Sequence, residues 1–218
     1  MFLGHFAVGF AGKRLAPRVP LPVLILAPIL LDGLWPIFLL LGWERVRIDP
    51  GNTAVTPLDF QSYPWSHSLL MSLIWSALLA LVYRTLTRDG RGALWLAIAV
   101  TSHWVLDWVT HRPDLPLWPG GPLVGLGLWR SVTATVLVEA AMFVVGLWFY
   151  LRMTRPRGWK GRLSLWSLVT ALLLLYIGNL RPLPPGTSER AIAVGALSMW
   201  LIIPWASWIE GTRRTVRV

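Results

Sequence analysis

Apolar residues are gathered along the chain into six runs, separated by stretches rich in charge, proline or glycine. Each run is close to the roughly 20 residues that an α-helix needs to cross the apolar layer of a bilayer. The runs fall at residues 20–43, 66–86, 92–110, 128–151, 163–180 and 191–208. The pattern therefore predicts an all-α fold: a polytopic bundle of about six transmembrane helices, forming one integral membrane domain over residues 1–218.

A further apolar segment, residues 1–12, precedes these runs and ends at the basic pair Lys13-Arg14. It is too short to cross a bilayer, so it predicts a half-membrane or interfacial helix. Its start lacks the basic region of a secretory signal peptide, and no small-residue cleavage site precedes Lys13. We therefore expect this segment to stay in the mature protein.

Composition and charge agree with a membrane protein. Of all residues, 55% are hydrophobic and 14% are charged, which excludes a disordered chain and an ordinary soluble domain. The net charge of +10 would also suit nucleic-acid binding, but fourteen of the twenty Lys and Arg residues lie on one side of the predicted bundle, at 13–18, 84–91, 152–162 and in the C-terminal tail. Basic residues concentrate in the cytoplasmic loops of membrane proteins. The charge thus predicts a cytoplasmic C-terminus, external Pro-rich loops at 44–65 and 111–127, and no nucleic-acid partner.

Ionisable side chains also occur within or beside the predicted spans. At 1.5 Å per residue they come out roughly 12 to 25 Å from the cytoplasmic face, in one layer. An isolated carboxylate at such a depth costs at least ~2.5 kcal/mol, so these groups are expected to face the bundle interior and to pair with one another or with a cation. The layer holds His5, Asp32, His67, His103, Asp107 and Glu139, and His111 lies above it, at the outer rim. Each residue alone suits a packing role, but a shared metal site accounts for all of them together.

The third predicted span carries the densest part of this layer. Its i, i+4 spacing puts His103 and Asp107 on one face, with His111 about 80° round from His103. Because the chain has no cysteine, the available ligands are imidazole nitrogens and carboxylate oxygens. This set suits Zn²⁺, Mn²⁺, Fe²⁺ or Mg²⁺, and the number of histidines favours zinc. One or two ions fit, with Asp107 as the bridge between two, and His111 is either a further ligand or a rim residue.

Such a site predicts hydrolysis of a phosphoester or phosphoanhydride, because a divalent ion polarises a phosphoryl oxygen and activates a water. Asp32 and Glu139 are the candidate catalytic carboxylates. The layer lies near the outer leaflet, so the expected substrate is a membrane lipid or lipid-linked phosphate that enters laterally or from the outer side. Arg112 and Arg130 are the basic residues placed to bind the phosphate, although anchoring at the membrane interface explains both equally well.

Two other functions use the same residues. A metal-ion or proton transporter would employ the cluster as a transient relay, but it would need acidic residues in both leaflets, and the inner half of the predicted spans has none. A haem protein would use two of the histidines as axial ligands, and the clustered carboxylates fit that function poorly. Hydrolysis therefore remains the leading hypothesis, with transport as the alternative.

Four motifs, in this order, resemble the YdjM-type family of bacterial inner-membrane metal-dependent hydrolases. They are Gly4-His5, Asp32 near the end of an apolar run, PWSHSLL at 64–70 and SHWVLDWVTHRPDLPLWP at 102–119. The resemblance implies a hydrolase of the prokaryotic plasma (inner) membrane, with a metal-site core at about 1–151 and accessory transmembrane helices at about 163–208. Where that family has a second Asp and a His, this chain reads LLDGLWP and offers only Asp32.

More distantly, the order of these residues is similar to that in the all-α zinc phospholipase C and P1 nuclease superfamily. By position, the resemblance implies a first zinc held by Asp32, His67, His103 and Asp107. It implies a second zinc where His5 joins Asp107, and a third metal position at Glu139. In that superfamily a His precedes the Glu by four residues, and here Thr135 stands in its place.

Overall fold

The structure, a computed structural model, describes residues 1–216 and is mostly helical. Nine α-helices occur in this part of the chain: α1 (Leu3–Leu15), α2 (Leu21–Leu40), α3 (Pro64–His67), α4 (Leu69–Thr87), α5 (Gly90–Thr110), α6 (Val132–Met153), α7 (Gly158–Asn179), α8 (Glu189–Ala196) and α9 (Ile202–Thr212). Six short strands form three two-stranded antiparallel sheets: β1 (Arg45–Ile48) with β2 (Leu58–Ser62), β3 (Leu115–Pro116) with β4 (Leu123–Val124), and β5 (Thr154–Pro156) with β6 (Arg213–Thr215). Two 3₁₀ turns, Leu128–Arg130 and Leu197–Leu201, precede α6 and α9.

Six helices are long and apolar enough to cross a membrane, as the hydrophobic runs predicted. They are α2, α4, α5, α6, α7 and the continuous helical path Glu189–Thr212 formed by α8, the second 3₁₀ turn and α9. The predicted short N-terminal helix is also present as α1, whose 13 residues extend only about 20 Å at 1.5 Å per residue. The all-α fold class with six spans is therefore confirmed, and the short strands are confined to the connections.

One boundary differs in a way that affects the site. The sequence predicted a span from residue 66, but a separate short helix, α3, ends at His67, and α4 begins at Leu69. Ser68 between them is extended, with ψ at 150°, and its hydroxyl accepts a hydrogen bond from the Met71 N–H. A serine in this position caps the new helix. His67 thus lies on the connection before the span.

Helix α1 lies close against α2 and α6, because glycines remove side chains at both crossings. A Cβ on Gly146 of α6 would lie 2.4 Å from the Ala7 carbonyl oxygen, and one on Gly9 would lie 2.9 Å from the Leu24 carbonyl oxygen. Small residues allow helix backbones this close an approach in membranes. The close packing fixes the height and rotation of α1, and with them the position of His5.

The connections lie at two opposite ends of the bundle. At one end, the predicted Pro-rich loops meet, since the Tyr63 hydroxyl donates to the Asp114 carboxylate at 3.1 Å and the Arg112 guanidinium binds Asp59. At the other, β5 pairs with β6, and the buried Lys13 ammonium bonds Glu210 at 3.0 Å. This agrees with the predicted separation of the Pro-rich loops from the basic ones; which end faces the cytoplasm stays a prediction from charge.

Candidate metal centre

Five of the predicted residues come together where α1, α2, α3 and α5 meet. Two groups of side chains each bring three ligand atoms within 4.8 Å of one another: His5, His103 and Asp107 form one group, and Asp32, His67 and His103 form the other. His103 belongs to both. The helical spacing on α5 explains its pairing with Asp107, whereas the other three residues arrive from α1, α2 and α3.

Five of the six separations among four ligand atoms are like those between the ligands of a single tetrahedral ion. The His103 Nε2 lies 3.2 Å from the His67 Nε2 and 3.0 Å from the Asp107 Oδ2. The Asp32 Oδ1 lies 3.5 Å from the His67 Nε2 and 3.7 Å from the His103 Nε2, and His67 Nε2 to Asp107 Oδ2 is 3.7 Å. Two ligands about 2.1 Å from a tetrahedral ion lie about 3.4 Å apart. The five separations surround that value.

Backbone contact fixes which nitrogen of His103 faces the cluster. Its Nδ1 lies 2.7 Å from the Pro28 carbonyl oxygen, which can only accept, so Nδ1 carries the hydrogen. The Nε2 is then the nitrogen with a free lone pair, directed at His67 and Asp107. A carbonyl partner on the outer nitrogen is the usual way of orienting a histidine ligand.

A chain of polar side chains reaches His67 from outside the cluster. The Ser66 hydroxyl lies 2.6 Å from the His67 Nδ1 and 2.7 Å from the Glu44 Oε2. The Glu44 Oε1 accepts the backbone N–H groups of Trp65 at 2.9 Å and Ser66 at 2.8 Å. Burial raises the pKa of Glu44 to about 7, although these three hydrogen bonds oppose the shift. Sequence reasoning missed Glu44, which lies 22 residues before Ser66 in the chain.

The second oxygen of Asp107 faces a different set of groups. The His5 Nε2 lies 3.1 Å from the Asp107 Oδ1, which also accepts a hydrogen bond from the α-amino group of Met1. The His5 ring stacks on His103, with ring centroids 3.8 Å apart and planes 7° from parallel. The His5 Nδ1 is buried without a hydrogen-bond partner among the described residues. Asp107 therefore stands between the two groups, as a bridging ligand would.

Glu139 lines the same cavity, but its carboxylate contacts the start of α1. The Oε2 accepts the N–H of Phe2 at 2.9 Å and that of Gly4 at 3.4 Å. A carboxylate there interacts favourably with the helix N-terminus. Thr135, one turn away on α6, donates to the backbone carbonyls of Leu128 and Ser131. Glu139 thus holds α1 in position, and its ligand and catalytic roles stay predictions.

His111 lies apart from the cluster, at the end of α5. Its Nδ1 lies 3.0 Å from the Asp114 Oδ1 and 3.2 Å from the Tyr63 hydroxyl, and its ring lies 4.3 Å from that of Trp129. It belongs to neither group of candidate ligands among residues 1–216. The geometry therefore favours the rim position over the further ligand for His111.

The two predicted phosphate-binding arginines occupy other positions. The Arg112 Nε donates to Asp114 at 3.1 Å, and the guanidinium also binds Asp59 of β2, so Arg112 links the β1–β2 hairpin to the loop after α5. Arg130 ends a 3₁₀ turn. Neither lines the main cavity among the described residues, whereas Arg181, which the sequence did not single out, does. The substrate-binding roles of Arg112 and Arg130 stay predictions.

The cluster opens into a cavity of about 590 Å³. Asp32, His67, Asp107 and Glu139 line its polar part, and apolar residues of the last helices, among them Leu172, Leu175, Met199 and Ile202, line the rest. The Asp32 side chain is 26% exposed, whereas those of His103 and Asp107 are 0% and 2% exposed. Asp32 is thus the most exposed of the four residues whose side chains supply these candidate ligand atoms. The helices predicted to be accessory form much of the wall, and the division of the domain stays a prediction.

The donor set fits one divalent ion. Two imidazole nitrogens with outward-held hydrogens and two carboxylate oxygens are nitrogen and oxygen ligands of the kind that zinc accepts. A second ion beside Asp107 Oδ1 has fewer donors: His5 and the already shared His103. The arrangement can hold a metal ion.

Fold and site together define an integral membrane protein with buried His and Asp groups that can bind metal. A match to the YdjM inner membrane protein family covers residues 2–182. The chain belongs to this family, as its motifs indicated, and the family name agrees with an inner-membrane location. The comparison with curated proteins found no match, and neither did the comparison with solved structures.

Proposed function

We propose that the protein is a membrane-embedded, metal-dependent hydrolase that cleaves a phosphoester or phosphoanhydride of a lipid or lipid-linked substrate. The observation that carries the proposal is the opening of a four-ligand cluster, through Asp32, into a largely apolar cavity of about 590 Å³. Cavities of this size accommodate a substantial part of a small ligand. A polar end next to an apolar wall suits an amphiphile.

The chain's own residues would divide the work as follows. Asp32, His67, His103 and Asp107 would hold one ion, with zinc favoured over Mn, Fe or Mg. The bound ion would polarise the phosphoryl oxygen and lower the pKa of a water. The open carboxylate of Asp32 is placed to accept a proton from a water at the cavity end, and Glu139 borders the same space. The apolar walls would exclude other water from the substrate.

Packing beneath the cluster favours hydrolysis over ion transport. Val100 and Leu96, one and two turns before His103 on α5, are fully buried. They pack in one apolar cluster with Leu24 and Leu31 of α2. An ion path would need polar groups or water at this depth. The tight apolar layer supports a site that is entered from one side.

Hydrolysis can be tested on zinc-loaded protein in mixed micelles with phosphatidic acid, phosphatidylglycerol or a polyprenyl diphosphate. We expect metal-dependent release of phosphate or headgroup, lost on chelation and restored by zinc. Ala171→Trp, which adds a large side chain to the cavity wall, should lower kcat/KM at least roughly 10-fold, about 1.4 kcal/mol in activation free energy, with metal content unchanged. Leu174→Trp is the control, because Leu174 is 64% exposed on the same helix. Metal binding without turnover, together with zinc uptake into vesicles, would favour the transporter.

Arg181 gives a second test, on substrate charge. It is exposed and lines the cavity just beyond the end of α7, so its guanidinium can meet a phosphate at the mouth. We expect Arg181→Gln to raise KM for an anionic lipid roughly 10-fold while kcat changes little, as for lost ground-state binding. Arg190→Gln, an exposed arginine on α8, should leave KM unchanged. If both substitutions raised KM equally, the increase would be due to the loss of overall positive charge and not to a contact of Arg181.

A further inference from the structure

Glu44 is a buried carboxylate that the proposed reaction does not use. Its side chain is only 2% exposed, and Ser66, which it contacts, is fully buried. The carboxylate comes from the connection after α2, yet all three of its hydrogen bonds go to the short helix that carries His67. Such a charge is costly to bury unless every acceptor is satisfied. Its position next to a ligand histidine requires an explanation.

The contacts determine the direction of each hydrogen bond in the chain from Glu44 to His67. An ionised carboxylate can only accept, so the single Ser66 hydroxyl hydrogen points to the Glu44 Oε2, at 2.7 Å. The Ser66 oxygen then accepts from the His67 Nδ1, at 2.6 Å. The hydrogen of the imidazole is thereby held on Nδ1. The His67 Nε2, which faces His103 and Asp32, keeps its lone pair.

We propose that Glu44 is a positioning residue of the metal site: acting through the Ser66 hydroxyl, it holds His67 in the tautomer whose Nε2 can bind a metal ion. The inference rests on the metal site of the proposed function and adds a residue from outside it. Outer partners of this kind orient histidine ligands and raise their basicity. Here Glu44 acts through the Ser66 hydroxyl, so the charge state of Glu44 sets the direction of both hydrogen bonds between Glu44 and His67.

Glu44→Gln should reverse the direction of the hydrogen bonds from position 44 to His67 without removing the contacts. Two backbone N–H groups bind Oε1, so they keep the amide oxygen there and leave the amide nitrogen facing Ser66. The nitrogen donates to the Ser66 oxygen, whose own hydrogen then turns to the His67 Nδ1. The imidazole hydrogen moves to Nε2, the nitrogen that should bind the ion. Glu44→Gln therefore places a hydrogen on the His67 nitrogen that should bind the ion. The side chain at position 44 keeps its size and its hydrogen bonds to the start of α3.

Zinc affinity in a double-mutant cycle tests this mechanism. Wild type, Glu44→Gln, Ser66→Ala and the double variant are titrated with zinc against a chromophoric chelator at pH 8, above the raised pKa of Glu44. We expect Glu44→Gln to bind zinc roughly 10- to 100-fold more weakly than wild type. In the Ser66→Ala background, the same change should have no further effect, because the connection is already cut. An undiminished effect there would overturn the proposal and leave Glu44 as a helix cap only.

Ser68→Ala is the matched control, since Ser68 caps α4 on the other side of His67 and its hydroxyl bonds the backbone of Met71. It should bind zinc like wild type, and a loss equal to that of Ser66→Ala would contradict the mechanism. Nitrogen-15 NMR of His67 in metal-free protein reads the tautomer directly: Nδ1 should be protonated in wild type and bare in Glu44→Gln. A bare Nδ1 in wild type would overturn the inference. Absence of zinc binding by wild type would instead count against the proposed function.

Discussion

His103→Gln is expected to weaken zinc binding by more than about 100-fold, since loss of an outer partner alone costs 10- to 100-fold. The reason is the central position of this imidazole. Its Nε2 lies within 3.7 Å of His67, Asp107 and Asp32, and it belongs to both groups of candidate ligands. Metal content of the purified protein, measured by elemental analysis, and chelator competition check the result. Asp107→Asn should give a loss of the same order, because Asp107 also joins the two groups.

His111→Gln is the matched control for that experiment. The substitution is the same and the residue lies on the next turns of the same segment, but His111 is bound by Asp114 and Tyr63. We expect His111→Gln protein to keep its zinc. Equal metal content in wild type, His103→Gln and Asp107→Asn would refute the site. Zinc loss in His111→Gln as large as in His103→Gln would restore His111 as a ligand.

The sequence could predict the parts of the site that depend on local spacing. His103 and Asp107 face the same way because they are four residues apart on one helix, and the structure places their side chains 3.0 Å apart. The layer of His and Asp residues followed from the length of the spans and the cost of burying charge. Convergence of His5, Asp32 and His67 on that layer followed from depth alone, although the sequence put His67 inside a span and not on the separate helix α3.

What the sequence could not predict depends on contacts between distant connections. Glu44 reaches Ser66 because residues 41–63 turn back and form the β1–β2 hairpin, and no periodicity marks that path. Arg112 was predicted to bind a substrate phosphate, and no pattern in the sequence indicated that Asp59 of the same hairpin, 53 residues away, binds it. Arg181 was one of several arginines on the Pro-rich side, and only the packing of the last helices around the cavity distinguishes it.

The position of His5 depends on how closely α1 approaches α6. A Cβ on Gly146 would lie 2.4 Å from the Ala7 carbonyl oxygen and 2.7 Å from the Ala7 Cα. Both atoms belong to the backbone, so a side chain at this position cannot be accommodated by a change of rotamer. The helices themselves must separate, and the stacking of His5 on His103 depends on their contact.

Gly146→Leu is therefore expected to lower the free energy of unfolding by about 3 kcal/mol or more, the upper part of the range for overpacked cores. For a chain of this size, that corresponds to a fall in Tm of roughly 6 °C or more, measurable by thermal unfolding in detergent. Gly211→Leu on α9 is the control, because a Cβ there meets nothing within 4 Å, and its Tm should stay within a few degrees of wild type. Zinc affinity measured below both transitions should fall only in Gly146→Leu, since only that change moves His5 off the ring of the ligand His103, on which it stacks. Equal stability of the two variants would mean that α1 does not pack against α6 at this distance.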